Sequence, residues 1–245
     1  MWLAAVLLLG ACALRAPRPV VPVTAEELLA ALSARRSAIT SLRARAQIAS
    51  GVARLWTREA VVVRRPSAVR IDVLSHAGLV LALGTEGSLL WAYPPMQAVR
   101  YEGSASPENL ARFLGAPVSV PDLVDILLGL PPQREPAGRP RVEAARDGEY
   151  RLAVPLAEGI QTLWFAADTH RLLRAEEARA GRLVLRVAFG DYRDGFPHAL
   201  EVSAPERGAA ASLTYETAEP NAEVDPTLFA PPPAARVLPL DAAPE

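Results

Sequence analysis

The chain contains a long series of short segments in which apolar and polar residues alternate, and this period of two constrains the fold most. In the first segment, Leu42, Ala44, Ala46 and Ile48 alternate with mostly polar residues, as a strand with one buried face requires. Further strands are predicted at residues 59–65, 69–74, 79–83, 89–93, 97–101, 142–146, 150–154, 161–166, 172–178, 183–189, 199–204 and 211–217. The turns between most of them are too short for crossover helices, so the strands are expected to pair as an antiparallel meander. A sheet of about a dozen strands must curl, close or split in order to bury one face.

Three helices are predicted around this sheet. The first begins at a capping box formed by Thr24 and Glu27 and ends near Ser41. A second begins near Ser106, with Pro at its first position, and a third spans residues 121–128. The third helix is apolar on nearly every side, so it either covers an apolar cavity or belongs to an ordinary core. We therefore expect an α+β protein in which a strongly curved antiparallel sheet forms an incomplete β-barrel with a helical lid.

The single cysteine, Cys12, directly follows an apolar N-terminal run. The sequence Leu9-Gly10-Ala11-Cys12 resembles a bacterial lipobox, where a signal peptide is removed and the new N-terminal cysteine is acylated. The apolar run is shorter than the roughly 20 residues that a membrane-spanning helix needs. The alternative interpretation is a buried N-terminal strand with a chance cysteine.

The lipobox interpretation divides the chain into four parts. Residues 1–11 are a lipoprotein signal peptide, and residues 12–23 are the acylated cysteine with a Pro-rich tether. Residues 24–233 form the folded domain. Residues 234–245 show neither a capping signal nor a strand signal, so we expect a flexible C-terminal tail.

Charge and the positions of reactive residues argue against several classes of function. The net charge is −1 and acidic and basic residues are mixed along the chain, whereas a nucleic-acid-binding domain needs a clustered basic face. The histidines lie far apart in the sequence, unlike the paired ligands of a helical zinc site. The chain also lacks the Gly-x-Ser-x-Gly elbow of a hydrolase and a phosphate-binding Gly-rich loop. We therefore expect no enzymatic activity, no metal and no bound nucleic acid.

Several short motifs follow one another in an order typical of one protein family. Residues 64–70 form a basic turn with Pro before a strand, and residues 85–94 contain the run Gly-Ser-Leu-Leu-Trp-Ala-Tyr-Pro. Residues 120–131 read as a helix with a Gly-Leu-Pro ending, and residues 225–233 contain Leu-Phe followed by a run of prolines. Together these motifs resemble the LolA and LolB lipoprotein carriers over residues 24–238. Glu86 stands where the carriers usually have Asp.

This resemblance implies a bent sheet and a helical lid that enclose an apolar cavity for the acyl chains of lipoproteins. The residues assigned on this basis to the cavity or the lid are Trp91, Tyr93, Leu123, Ile126 and Leu127. Single aromatic residues on strands are also compatible with an ordinary core.

The resemblance also suggests two further features. The acylated receptor of the family carries an exposed apolar loop between two early strands, thought to help insert cargo into the bilayer. Ala77 and Leu79 match that loop here, although Leu79 is also compatible with an inward core position. In the soluble carrier an early-strand Arg helps to hold the lid, and Arg43 and Arg45 are the local candidates.

The lipobox and the resemblance together predict a lipid-anchored envelope lipoprotein that binds acyl chains and acts in lipoprotein localisation or insertion. Cys12 would hold it at the outer membrane of a Gram-negative bacterium, facing the periplasm, because Ala13 is not the Asp that suggests inner-membrane retention in many bacteria. Expected partners are membrane lipid, through the anchor, and acylated lipoproteins or their carrier. We expect a monomer with no cofactor beyond the covalent lipid, and with acyl chains as ligand.

The alternative function is a non-transporting envelope lipoprotein. In that case the LolA-like fold would serve as a protein-interaction or sensor module.

Overall fold

The computed structural model describes residues 22–50, 55–115, 117–144 and 148–241. In these residues the chain forms three α-helices, α1 (Ala25–Ala38), α2 (Pro107–Leu114) and α3 (Val120–Leu127). The strands of the N-terminal half are β1 (Ser41–Ser50), β2 (Leu55–Arg64), β3 (Ala68–Ser75), β4 (Gly78–Glu86), β5 (Leu89–Tyr93) and β6 (Val99–Ser104). Those of the C-terminal half are β7 (Arg141–Ala144), β8 (Glu149–Leu156), β9 (Gly159–Ala166), β10 (Leu172–Arg179), β11 (Arg182–Arg193), β12 (Phe196–Ala204), β13 (Ala209–Pro220) and β14 (Arg236–Pro239).

All the strands belong to one sheet, in the order β14-β6-β5-β4-β3-β2-β1-β13-β12-β11-β10-β9-β8-β7. Neighbouring strands are antiparallel except β14 and β6. The two halves of the chain form two meanders that meet where β1 pairs with β13, with Ile48 opposite Leu213. In the described residues β14 and β7 remain at the two edges, so the sheet curves without closing. The predicted fold class, an incomplete barrel with a helical lid, is confirmed.

Helix α1 begins as the sequence predicts. The Thr24 backbone N–H donates to Glu27 Oε2 at 2.7 Å, and the Glu27 N–H donates to Thr24 Oγ1 at 3.2 Å, which is the reciprocal capping box. The helix ends at Ala38, before the predicted Ser41, because Ser41 already starts β1 and donates its hydroxyl to the Ala222 carbonyl. Leu28 is the fully buried residue that fastens α1 to the core.

The core lies on the concave face of the sheet, beneath α2 and α3. Alternate residues of the strands point to this face, among them Val61, Val63, Val69 and Ile71. Helices α2 and α3, here called the lid, cover it. Their N-termini are capped by Ser106 and Ser119, whose hydroxyls accept the N–H groups of Asn109 and Asp122.

The C-terminal segment requires a correction. Residues 234–245 are predicted to be a loosely held tail, but Arg236–Pro239 forms β14, parallel to β6. The Leu240 N–H donates to the Glu102 carbonyl at 2.7 Å, and the Asp241 carboxylate accepts the Ser104 N–H at 3.0 Å. The folded domain therefore extends to residue 241. The sequence does not predict this strand, because a four-residue strand that pairs with a distant segment leaves no periodic signal.

Candidate functional site

An apolar cavity of about 130 Å³ lies between the concave face of the sheet and the lid. Glu59 and Ser212 are the polar residues among those that line it. The apolar lining residues are Ile48, Ile71, Val73, Leu81, Leu83, Phe113, Leu114, Val118, Leu123, Ile126, Leu127, Leu200, Val202, Ala211 and Leu213.

The floor of the cavity follows from strand alternation and register. Ile71 and Val73 of β3 lie opposite Leu83 and Leu81 of β4, so four aliphatic side chains meet on one face. The other half of the sheet contributes in the same way, since Leu200 and Val202 of β12 lie opposite Leu213 and Ala211 of β13. The cavity thus spans the junction between the two meanders.

The lid is held over this floor by a buried carboxylate. Asp125 of α3, whose side chain is 5% exposed, forms ion pairs with Arg36 at the end of α1 and with Arg65 in the β2–β3 turn. The Arg65 Nη2 to Asp125 Oδ1 distance is 2.7 Å, and the Gln133 N–H also donates to Asp125. We call Arg36, Arg65 and Asp125 the lid clamp. It connects α3 to helix α1 and to the β2–β3 turn.

A second set of ion pairs joins the lid to the other half of the sheet. Arg134 donates to both carboxylate oxygens of Asp122, at 2.8 and 2.9 Å, and to Glu177 of β10 at 2.7 Å. The Asp122 and Glu177 carboxylates raise the pKa of Arg134 above its ordinary value. At the end of α3, Tyr215 donates its hydroxyl to the Leu127 carbonyl at 2.8 Å, and burial raises the pKa of this phenol. Both ends of α3 are therefore fixed to the sheet.

Glu59 places a carboxyl group in the wall of the cavity. The residue is 7% exposed, and one of its oxygens, Oε1, accepts the Thr57 hydroxyl at 2.8 Å. Burial raises its pKa to about 6, because removal from water disfavours the charged form.

The sequence patterns predict no role for Glu59 or for the residues of the lid clamp, although each leaves a signal in the sequence. Glu59 is in phase with Val61 and Val63 on β2, the face that becomes buried. Asp125 is likewise an acidic residue inside a nearly continuous apolar run. A charged residue at a position predicted to be buried is the signal in both cases.

The predicted cavity residues fall into two groups. Leu123, Ile126 and Leu127 line the cavity. Trp91 and Tyr93 do not, because Leu83 lies opposite Ala92 and this register turns Trp91 and Tyr93 to the other face of the sheet. We therefore correct the assignment of these two aromatic residues to the cavity.

Trp91 instead fastens the C-terminal segment to the convex face. It is fully buried and donates Nε1–H to the Phe229 carbonyl at 2.8 Å. The ring lies against Gly84, where an added Cβ would approach it to 2.2 Å. The Arg70 guanidinium lies 5.8 Å from the ring centroid. The role of Trp91 in this structure is packing.

The predicted insertion loop is the tip of the β3–β4 hairpin. Ala77 is exposed and Leu79 is half-buried. Two further apolar residues, Leu74 and Val80, are 41% and 48% exposed on the same hairpin. We call Leu74, Ala77, Leu79 and Val80 the hairpin patch.

The arginines that reach the lid differ from the local candidates. Arg43 and Arg45 are exposed, and Arg43 donates to the Glu223 carbonyl at 3.1 Å. Arg36 and Arg65 contact α3 instead.

Cys12 and the signal peptide lie outside the described residues, so the lipidation of Cys12 stays a prediction. In the described part of the chain, no helix is long and apolar enough to cross a membrane. Within the same residues, no group of three or more His, Cys, Asp or Glu side chains is arranged to hold a metal ion.

Comparison with solved structures decides the fold. A domain named for outer membrane lipoprotein sorting, from Vibrio parahaemolyticus, superimposes with a TM-score of 0.55 at 15% identity and covers 84% of this chain and 97% of its own. A LolA superfamily protein from Nitrosomonas europaea gives a TM-score of 0.54 at 16% identity, covering 86% and 99%. The fold is LolA-like.

A DUF1329 family protein from Desulfovibrio piger shares this LolA-like architecture, with a TM-score of 0.54 at 16% identity over 84% of this chain and 95% of its own. No protein-family model matches the sequence. No curated protein matches it either. The likeness is therefore one of structure rather than of sequence.

Proposed function

We propose that this protein is a lipid-anchored envelope lipoprotein that binds acyl chains in the cavity and acts in lipoprotein localisation or insertion at the outer membrane. The observation that carries the proposal is the cavity itself, which has aliphatic walls on both sheet halves and on the lid. Such walls favour hydrocarbon, because each buried methylene contributes about 0.8 kcal/mol. The names of the similar structures from Vibrio parahaemolyticus and Nitrosomonas europaea, a lipoprotein-sorting domain and a LolA superfamily protein, also support this proposal.

The size of the cavity limits how much of an acyl chain it can hold. At about 130 Å³, it resembles cavities of about 150 Å³ that accept a benzene-sized group. A space of this size has room for only part of a long acyl chain. Movement of the lid away from the sheet would make room for a full chain, and it must break the lid clamp, the ion pair between Arg134 and Glu177 and the hydrogen bond from Tyr215 to Leu127.

The anchor and the hairpin patch complete the proposal. Acylation of Cys12 would hold the protein at the membrane, with a Pro-rich tether before the folded domain. The hairpin patch would enter the acyl region when cargo is delivered. The chain would then use acyl chains twice, as its anchor and as its ligand.

The role in localisation is tested by depletion of the protein in its native host, followed by membrane fractionation. We expect outer-membrane lipoproteins to accumulate in other fractions. Unchanged sorting, together with no lipid co-purifying with the protein, would contradict the proposal.

The anchor is tested separately by metabolic labelling with palmitate. Cys12→Ala is expected to abolish labelling, while the wild-type chain is labelled. Persistent labelling of the variant would rule out acylation at Cys12.

The alternative, an interaction or sensor module, is favoured by the partly buried ion pairs that fix the lid. In that case the cavity is a gap in the packing that binds no acyl chain. Normal sorting after depletion and capture of a defined protein partner would support this function instead.

A further inference from the structure

Glu59 is an unexpected residue for a cavity that binds plain hydrocarbon. It lies on β2 between Ala46 of β1 and Val73 of β3, so its neighbours across the sheet are apolar. Among the described lining residues it is the one titratable group. A leucine at this position would serve a purely hydrocarbon ligand better.

The hydrogen bonds of Glu59 leave one oxygen free. Oε1 accepts the Thr57 hydroxyl, whereas Oε2 makes no hydrogen bond within the described residues. No arginine or histidine in that part of the chain forms an ion pair with Glu59. Oε2 is not fully buried, so the carboxyl group presents in an apolar wall an unused acceptor that a bound molecule can reach.

The surroundings restrict what this oxygen can bind. A free fatty acid would bring a second carboxylate close to the first, and the two like charges would repel. An ammonium group would lose its hydration against aliphatic walls, which is costly for a full charge. A neutral hydrogen-bond donor avoids both penalties.

We propose that Glu59 is a ligand-specificity residue, and that the cavity selects an acyl chain bearing a neutral hydrogen-bond donor, a hydroxyl or an amide N–H, which donates to Glu59 Oε2. This inference rests on the proposed acyl-binding function and specifies its ligand class. Both donors occur close to the carbonyl end of modified acyl chains. Glu59 would thus fix the depth at which a chain stops in the cavity.

The experiment uses three C16 probes that differ only near the carbonyl group: methyl palmitate, methyl 3-hydroxypalmitate and N-methylpalmitamide. Each competes with the fluorescent hydrocarbon diphenylhexatriene for the purified full chain carrying Cys12→Ser. We expect at least one donor-bearing probe to bind about tenfold more tightly than methyl palmitate, which is the effect of one additional hydrogen bond. The probe that gains affinity distinguishes a hydroxyl source from an amide source.

Variants assign the effect to the carboxyl group. Glu59→Leu is expected to bind all three probes equally, while Glu59→Gln keeps a carbonyl acceptor and retains part of the preference. Ser212→Ala is a control on the same sheet and is expected to keep the full preference, because Ser212 lies opposite Glu201 and its side chain is out of phase with the cavity-facing Ala211 and Leu213. Equal binding of the probes by the wild-type chain, or a preference that survives in Glu59→Leu, would overturn the inference about Glu59 but not the acyl-binding function. If neither diphenylhexatriene nor any probe binds, the acyl-binding function fails as well.

Discussion

At the scale of single residues, Glu59 makes the stability of the fold depend on pH. Its pKa is raised from an ordinary value of 4.5 to about 6 by burial. For an acid with a raised pKa, the folded state binds the proton more tightly than the unfolded state does. The contribution of protonated Glu59 to the stability of the folded state is therefore fully present below pH 4.5. It is lost as the pH rises through about 6.

Replacing Glu59 with Gln should remove this dependence. At pH 7.5 the variant should be more stable than the wild type by about 2 kcal/mol, which is roughly 5 °C in melting temperature for a domain of this size. At pH 4.5 the two proteins should melt at nearly the same temperature. Thermal unfolding across this pH range measures the difference, and a constant offset at every pH would contradict the account.

Gly84 is required by the packing of Trp91. An added Cβ would lie 2.2 Å from the indole ring, so Gly84→Ala must displace the ring and strain its hydrogen bond to Phe229. We expect a loss of about 2 kcal/mol in the free energy of unfolding, typical of overpacking. Chemical denaturation measures this loss.

Gly190→Ala is the matched control for Gly84→Ala, because its new Cβ would meet its nearest neighbour at an ordinary 3.8 Å. It should change stability by much less. Similar losses in both variants would show that the contact with Trp91 is not the cause.

The direction of single side chains on β5 is the feature that the sequence predicts least well. Whether a side chain of β5 points into the cavity depends on which face of the sheet becomes concave. Burial does not distinguish the two faces here, because Leu90, Trp91 and Ala92 are all buried. A strand buried on both faces gives no alternation from which to choose. The helix residues are easier to assign, because Leu123, Ile126 and Leu127 recur at helical spacing and all three line the cavity.

At the scale of elements, the lid clamp determines how firmly α3 is held. Asp125→Ala leaves Arg36 and Arg65, which are 16% and 22% exposed, without their common partner. Removing one partner of a buried ion pair lowers the free energy of unfolding by about 3 kcal/mol. We expect a comparable loss of stability and faster hydrogen exchange in α3, measured by mass spectrometry.

Glu86→Ala is the control for the lid clamp, since its ion pair with Arg64 is 4.0 Å long and its side chain is 52% exposed. Its effect on stability should fall within about 0.5 kcal/mol. Unchanged exchange in α3 of Asp125→Ala would show that the clamp does not hold the lid.

The hairpin patch is expected to contact membranes. In a chain carrying Cys12→Ser, Leu74→Ser with Val80→Ser should weaken binding to phosphatidylglycerol vesicles at least tenfold, because two partly exposed aliphatic side chains no longer enter the bilayer. Met96→Ser removes another exposed apolar side chain, 93% exposed, outside the hairpin. Sedimentation with vesicles compares the variants, and an equal effect of Met96→Ser would contradict a specific role for the hairpin.

Most elements could be predicted from the sequence, because alternation and turn residues are local signals. Every predicted strand corresponds to an observed one, and the capping box of α1 is present in the structure. The exception is β14, whose four residues pair in parallel with β6, more than a hundred positions earlier in the chain. Such pairing is decided by tertiary contacts rather than by periodicity.

At the scale of the whole molecule, the open barrel creates a space that neither half of the sheet forms alone. The cavity requires β3 and β4 from one meander, β12 and β13 from the other, and the lid across them. The curvature of the sheet could be inferred from the number of strands. The volume of the cavity could not, because it depends on how closely the lid approaches the floor.

Filling the cavity with a larger side chain tests whether it binds acyl chains. Ala211 lines the cavity, whereas Ala210, its neighbour on β13, is exposed. In chains carrying Cys12→Ser, lipid that co-purifies from a bacterial host can be quantified by native mass spectrometry. We predict an acyl-lipid adduct on the Cys12→Ser chain and on the chain that also carries Ala210→Trp, and its loss in Ala211→Trp. No adduct on any of these chains, or equal adducts on all three, would contradict the claim.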